Sequence, residues 1–200
     1  MCGRYTVFTE EEIIEMNAII NEVSKKFGAQ AVKTGEIFPN DTAPIVLLAD
    51  GKIEVNRGTW GFPHWEPNKR PIINARSESA HEKRMFSKSL LKSRCVVPST
   101  GFYEWTHEGK KAIDKYLFQQ PENRMLYMAG LLEKYKDTDG NWTDRYVILT
   151  QAPNEYVAPF HDRMPVILQK DEISQWLRND EYIQTVFMRQ GPELVFEKAG

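Results

Sequence analysis

Four segments carry side chains whose types and settings suit chemistry: an aldehyde-trapping end, two proton carriers and a grip for a sugar-phosphate. Cys2 stands directly behind Met1 in "MCGRY". Once the initiator methionine is removed, which is usual before a small residue, Cys2 carries a free thiol and a free α-amine on adjacent carbons. The amine condenses with an aldehyde to an imine, and the thiol closes on the imine carbon to give a five-membered thiazolidine. An α-amine has a pKa of roughly 7.7–8.0 against about 10.4 for lysine, so part of it is nucleophilic near neutrality. In "PSTGFYEWT", Glu104 sits among Phe102, Tyr103 and Trp105. Desolvation in aromatic surroundings raises a carboxyl pKa and suits it to proton transfer near pH 7. In "APFHDRMPV", His161 is a second proton carrier. In "PIINARSES", Asn74, Arg76 and Glu78 alternate as one face of a strand or extended edge presents them. An amide and a guanidinium there suit a sugar-phosphate.

Each feature also has a plain structural explanation. Cys2 can be a small core residue of a first strand. Asn74 and Arg76 can be a polar strand face or a helix cap, and Glu104 the exposed side of a half-buried strand. His161 fits a surface loop with an Asp162–Arg163 ion pair. In "WGFPHW", Trp60 and Trp65 can stack on bases or fill the core, and core packing suits at least one of them.

Composition narrows the class. The 200 residues are 41% hydrophobic and 27% charged, with a formal net charge of -2. These values suit a single globular domain over residues 1–200. Any nucleic-acid site must be a local cationic patch on a near-neutral body. No run is long enough for a membrane-spanning helix, and no signal peptide is apparent. Cys2 and Cys95 are the only cysteines, which points to a reducing cytoplasm and no disulfide framework. Four scattered histidines lack metal-ligand spacing, so no metal and no cofactor is expected.

The elements that must hold these residues are mostly short strands. "PIVLLA", "KIEVNRGTWGF", "RCVVP", "GFYEWT", "KYLFQ", "RMLYMAGLLEKY", "RYVILTQA", "PVILQ" and "ELVFE" are rich in β-branched and aromatic residues. "KDTDGNW" places Asp139-Gly140 in a hairpin loop. Helices are predicted in "TEEEIIEMNAIINEVSKKFG", capped by Thr9 with Glu12 in a capping box and ended by Gly28, in "ESAHEKRMFSKSLLKS", and in "KDEISQWLRN" with Asp171 as cap. Strands dominate without βα alternation. The fold class is therefore α+β, a mainly antiparallel sheet or barrel flanked by a few helices.

Taken in order, "MCGRY", "WGFPHW", "NARSES", "RCVVPSTGFYEW" and "HDRMPV" resemble the SRAP family, the SOS response-associated peptidases or abasic-site processing proteins. The motifs run from Met1 to about Val166. The resemblance implies that Cys2 forms a thiazolidine with the ring-opened sugar of an abasic site in single-stranded DNA. Asn74 would sense the sugar, and Glu104 and His161 would position it and move protons. Arg4, Arg76 and Arg163 match phosphate-binding positions. Trp60 and Trp65 match an aromatic segment at the strand junction, and Pro39 and Thr150 lie near the DNA path. The resemblance further implies a monomer acting alongside replication-fork components at the nucleoid, with lyase and Met1-removing peptidase activities in its range. Two alternatives remain open. Class II glutamine amidotransferases also begin Met-Cys-Gly and use the thiolate as nucleophile, but "GFYEW" and "HDRMP" have no place in them. A non-covalent reader of damaged DNA, with Cys2 incidental, is the other.

Overall fold

The computed structural model describes residues 3–199 except 12, 67, 110, 123 and 138. The chain runs through β1 (Tyr5–Val7), α1 (Ile14–Phe27), β2 (Gly35–Ile37), β3 (Thr42–Ala49), β4 (Lys52–Trp60) and β5 (Asn74–Arg76). A 3₁₀ turn at Ser77–Ser79 leads to α2 (Arg84–Lys92), β6 (Arg94–Ser99), β7 (Gly101–Glu108), β8 (Lys111–Gln119), β9 (Leu126–Lys136) and β10 (Trp142–Gln151). Then come β11 (Met164–Pro165), β12 (Ile167–Leu168), a 3₁₀ turn at Lys170–Glu172, α3 (Ile173–Arg178), α4 (Tyr182–Met188) and β13 (Val195–Ala199).

Two sheets share one core. In the larger, β10, β4, β3, β6 and β9 close into a barrel, because β10 bonds both β4 and β9. Closure leaves these five strands no free edge among themselves. The β4–β10 and β5–β10 pairs are parallel; the other strand pairs are antiparallel. The smaller sheet has the order β13-β8-β7-β1-β2. Tyr5 on β1 joins the two: its hydroxyl shares a hydrogen bond with the Tyr146 hydroxyl on β10, and its ring meets the Trp60 ring edge-on at 5.1 Å. The α+β expectation holds.

Several boundaries differ from the sequence reading. Helix α1 begins at Ile14 with no side-chain cap, so Thr9 caps nothing, and the Glu12 half of the expected capping box lies outside the described residues. Gly28 does end α1, at φ +92°, with its N–H on the Ser24 carbonyl. The second helix is shorter than expected, with the 3₁₀ turn standing apart from α2. Asp171 is not a cap; the Glu172 carboxylate instead accepts the Gln169 N–H at 2.7 Å. Among the predicted strands the β9–β10 hairpin forms as read, pairing Lys136 with Trp142 around Gly140 at φ +84°.

Candidate active site

Strand β7 is the spine of the site. It pairs antiparallel with β1, Tyr5 opposite Phe102, and the Tyr103 N–H donates to the Arg4 carbonyl at 2.9 Å. The same register sets Gly3 opposite Glu104, so the N-terminal end of β1 lies at this carboxylate. Cys2 and Met1 themselves lie outside the described residues. On its other edge β7 pairs with β8, which puts Phe102 against Phe118 and Glu104 against Tyr116. The alternation of a strand then sorts the residues into two faces.

The inner face carries Phe102 and Glu104. Glu104 is only 2% exposed. Burial pushes its carboxyl up, from 4.5 to about 7, and the nearby charge of Asp162 adds to the rise. A group titrating there exchanges protons readily at physiological pH. His161 follows a turn in which its N–H donates to the Val157 carbonyl at 3.0 Å. Burial holds its imidazole below the usual 6.5, with His107 acting in the same direction and Asp162 opposing. His161 Nδ1 lies 2.9 Å from the Arg163 backbone N–H. Asp162 Oδ1 lies 2.8 Å from the same Nδ1 and can take its proton as a partner once the ring charges. The charge of Asp162 thus reaches both Glu104 and His161, which places the two in one electrostatic neighbourhood.

The rim of the site is built on β10. Strand β5 lies parallel to it, with Asn74 opposite Ile148 and Arg76 opposite Thr150. Asn74 is half-buried and Arg76 exposed. Glu78 does not continue their strand face; it sits in the 3₁₀ turn, where its carboxylate takes two hydrogen bonds from Arg163, at 2.6 and 2.8 Å. Arg163 Nη2 also donates to the Thr150 carbonyl at 2.6 Å. The Arg163 fork, expected at a phosphate, holds the Glu78 carboxylate in this structure. The expected Asp162–Arg163 pair is replaced by Glu78–Arg163.

Two other expected DNA contacts are corrected by burial. Trp60 is fully buried, and its Nε1–H donates to the Ile73 carbonyl at 3.0 Å. It braces the residue before β5 and offers no face to a base. Thr150 is also fully buried, with its hydroxyl 3.5 Å from the Ala75 carbonyl, so it acts through its own carbonyl as the anchor of Arg163. Trp65 is the opposite case: it is 71% exposed and stacks on His64 at 3.9 Å. Among the described residues, no contact joins Trp65 to the Glu104–His161 cluster. Cys95 is fully buried and its thiol is pushed up by burial, so it offers no accessible thiolate.

On the outer face of the small sheet, Arg4 joins two residues that sequence reasoning missed, Glu36 and Lys115. Arg4 lies over the Phe38 ring at 3.7 Å, and Lys115 over the Tyr103 ring at 3.8 Å. Both donate to Glu36 Oε1, at 2.8 and 2.7 Å. Pro39 follows Phe38 in a half-buried turn beside this cluster. Lys115 pairs with Trp105 across the β7–β8 hairpin. The only signal for it was that hairpin register, which "KYLFQ" does not reveal by itself.

Residues 1–194 match the model of the SOS response associated peptidase (SRAP) family, and the chain belongs to it. It is 32% identical over 201 residues to the abasic site processing protein YoqW of Bacillus subtilis (strain 168), across 93% of this chain and 86% of that protein. The abasic site processing protein YedK of Escherichia coli (strain K12) is 25% identical over 186 residues, across 90% of this chain and 81% of its own. A crystal structure of a Bacteroides thetaiotaomicron protein shares the fold, with a TM-score of 0.79 at 23% identity, covering 98% of this chain and 91% of that one.

Proposed function

We propose that this protein captures abasic sites in single-stranded DNA as a covalent thiazolidine through Cys2, after loss of Met1. The observation that carries the reading is Glu104, a buried carboxyl raised to about 7 at the end of the strand pair where the chain begins. The two named relatives are abasic site processing proteins, which fits the same substrate.

The chemistry proceeds in two additions. The Cys2 amine attacks the aldehyde carbon of the ring-opened sugar to give a carbinolamine. Glu104, protonated in part near pH 7, gives its proton to the departing hydroxyl, which leaves as water, and the imine forms. The Cys2 thiol then adds: a carbon–sulfur bond closes the ring, the thiol gives up its proton, and the imine nitrogen gains one. His161 orients the sugar oxygens, and Asn74 binds beside it. Arg76 and Arg4 meet backbone phosphates, and Trp65 offers a ring for stacking. An imine left open is the branch point for strand-cleaving lyase chemistry; closure by sulfur diverts it. Residues 1–200 act as one domain, supported by the single hydrophobic cluster that both sheets share. The setting is the cytoplasm, at the nucleoid.

The test mixes Met1-processed protein with abasic single-stranded DNA and resolves it on a denaturing gel. A heat-stable adduct that vanishes in Cys2→Ala is expected. Reversible binding without an adduct supports a non-covalent reader instead, and ammonia release from glutamine would favour the amidotransferase alternative.

A further inference from the structure

The Arg163–Glu78 pair is unequal. Arg163 has a side chain only 11% exposed, whereas Glu78 is 54% exposed. A nearly buried guanidinium needs an anion in hydrogen-bonding reach, because an unpaired charge there is costly. An exposed carboxylate has no such need, since water solvates it well. The pair therefore has a fixed member and a replaceable one. Arg163 is also held independently of Glu78 by its bond to the Thr150 carbonyl on β10. It keeps its place when the carboxylate leaves.

Carboxylate and phosphate present the same two-oxygen edge to a guanidinium fork. Glu78 rides on a single 3₁₀ turn directly after β5, and beside it opens a cleft of about 250 Å³ lined by Ser77, Gln151, Met188 and Arg189. The carboxylate has room to swing aside. Arg76, exposed and opposite Thr150, brings a second cation to the same rim.

We propose that Glu78 is a displaceable stand-in for a DNA phosphate: it occupies Arg163 in the free protein and is exchanged for a backbone phosphate as the strand enters. The inference rests on the DNA reading above and adds a threshold to it. Each strand that enters must outcompete an internal carboxylate, so Glu78 lowers affinity for any single strand and leaves lasting retention to covalent capture. Glu78 is a positioning residue that acts through Arg163.

The experiment measures binding of undamaged single-stranded DNA across a salt series for wild type, Glu78→Gln, Arg163→Ala and the double variant. Undamaged DNA forms no adduct, so this arm reads the exchange apart from Cys2 chemistry. Glu78→Gln is expected to bind about three- to tenfold tighter at low salt, with a log–log salt slope steeper by about 0.7, one more phosphate neutralised without release of an internal anion. The gain should vanish on the Arg163→Ala background. Glu78→Ala gives the same reading if the amide disturbs the turn. Unchanged or weaker binding, or a gain that survives Arg163→Ala, overturns the exchange and makes the pair a structural clasp. An abasic-DNA arm on a denaturing gel keeps the two readings separate: an adduct with no gain in Glu78→Gln sinks the exchange alone, whereas wild type that neither binds nor crosslinks sinks both.

Discussion

Glu36 and Glu104 stand on the same small sheet, on opposite faces, and their protons behave oppositely. Burial raises Glu36, but hydrogen bonds from Lys115 and Arg4 outweigh it and hold its carboxyl below the usual 4.5. Burial dominates at Glu104, and the charge of Asp162 reinforces it. Glu36 is thus a permanent anion that organises two cations over aromatic rings, while Glu104 is poised between charge states. Proximity to the chain start does not distinguish them, since Glu36 faces Thr6 on β1 and Glu104 faces Gly3. Accessible cations do. The same residue type becomes an electrostatic brace or a proton carrier according to which face of the small sheet it occupies.

The largest test of that contrast is kinetic. Glu104→Gln is expected to slow adduct formation by about 10²-fold or more, the usual share of a general acid, with DNA binding largely intact. Glu36→Gln in the same assay should stay within about threefold of wild type, because its loss leaves the proton carrier in place. Equal losses in the two variants would erase the distinction.

A second test reads the fold. Between pH 4.5 and about 7, native Glu104 holds a proton that the unfolded chain has released. Stability contributed by the protonated group is therefore lost as pH rises through that window. The shift from 4.5 to about 7 corresponds to at most ~3 kcal/mol. Urea unfolding should find Glu104→Gln more stable than wild type above pH 8 by up to that amount, with the difference shrinking towards pH 4. A variant equally or less stable at pH 9 would contradict a strained, buried carboxylate. The smallest effect belongs to Glu36, whose folded pKa is lowered, so its stabilisation is present above pH 4.5 and lost as the pH falls below it. Its partners are partly exposed, so Glu36→Gln should cost only about 0.5–1 kcal/mol at pH 7 and nothing measurable at pH 2.

How much of this could be read from residues alone varies with the range of the interaction. The burial of Glu104 was legible only in part: alternation puts Phe102 beside it on the inner face, but Tyr103 and Trp105, its chain neighbours, lie on the outer face. The long strands and the Gly140 hairpin were legible because their signals are local. Strands β1 and β2 have three residues each, too few for a periodic signal, and exist because neighbouring strands complete their hydrogen bonds. Helix α4 in "EYIQTVFM" has β-branched and aromatic residues and no cap, so its helical state comes from packing Ile183 and Val186 into the core. Trp60 and Trp65 lie in one short motif, yet one is fully buried and the other exposed. The difference depends on Gly61, at φ +111° and tight against Pro71, where the chain turns off the barrel. Glu78 and Arg163 are 85 residues apart, and only the β5–β10 pairing brings them together.

The central claim is covalent capture through Cys2, and intact mass of the protein before and after incubation with abasic single-stranded DNA tests it most directly. The account predicts a starting mass that lacks Met1, then a species heavier by the mass of the DNA strand less one water. A protein that has lost Met1 yet keeps its mass unchanged in the presence of the abasic strand would contradict it.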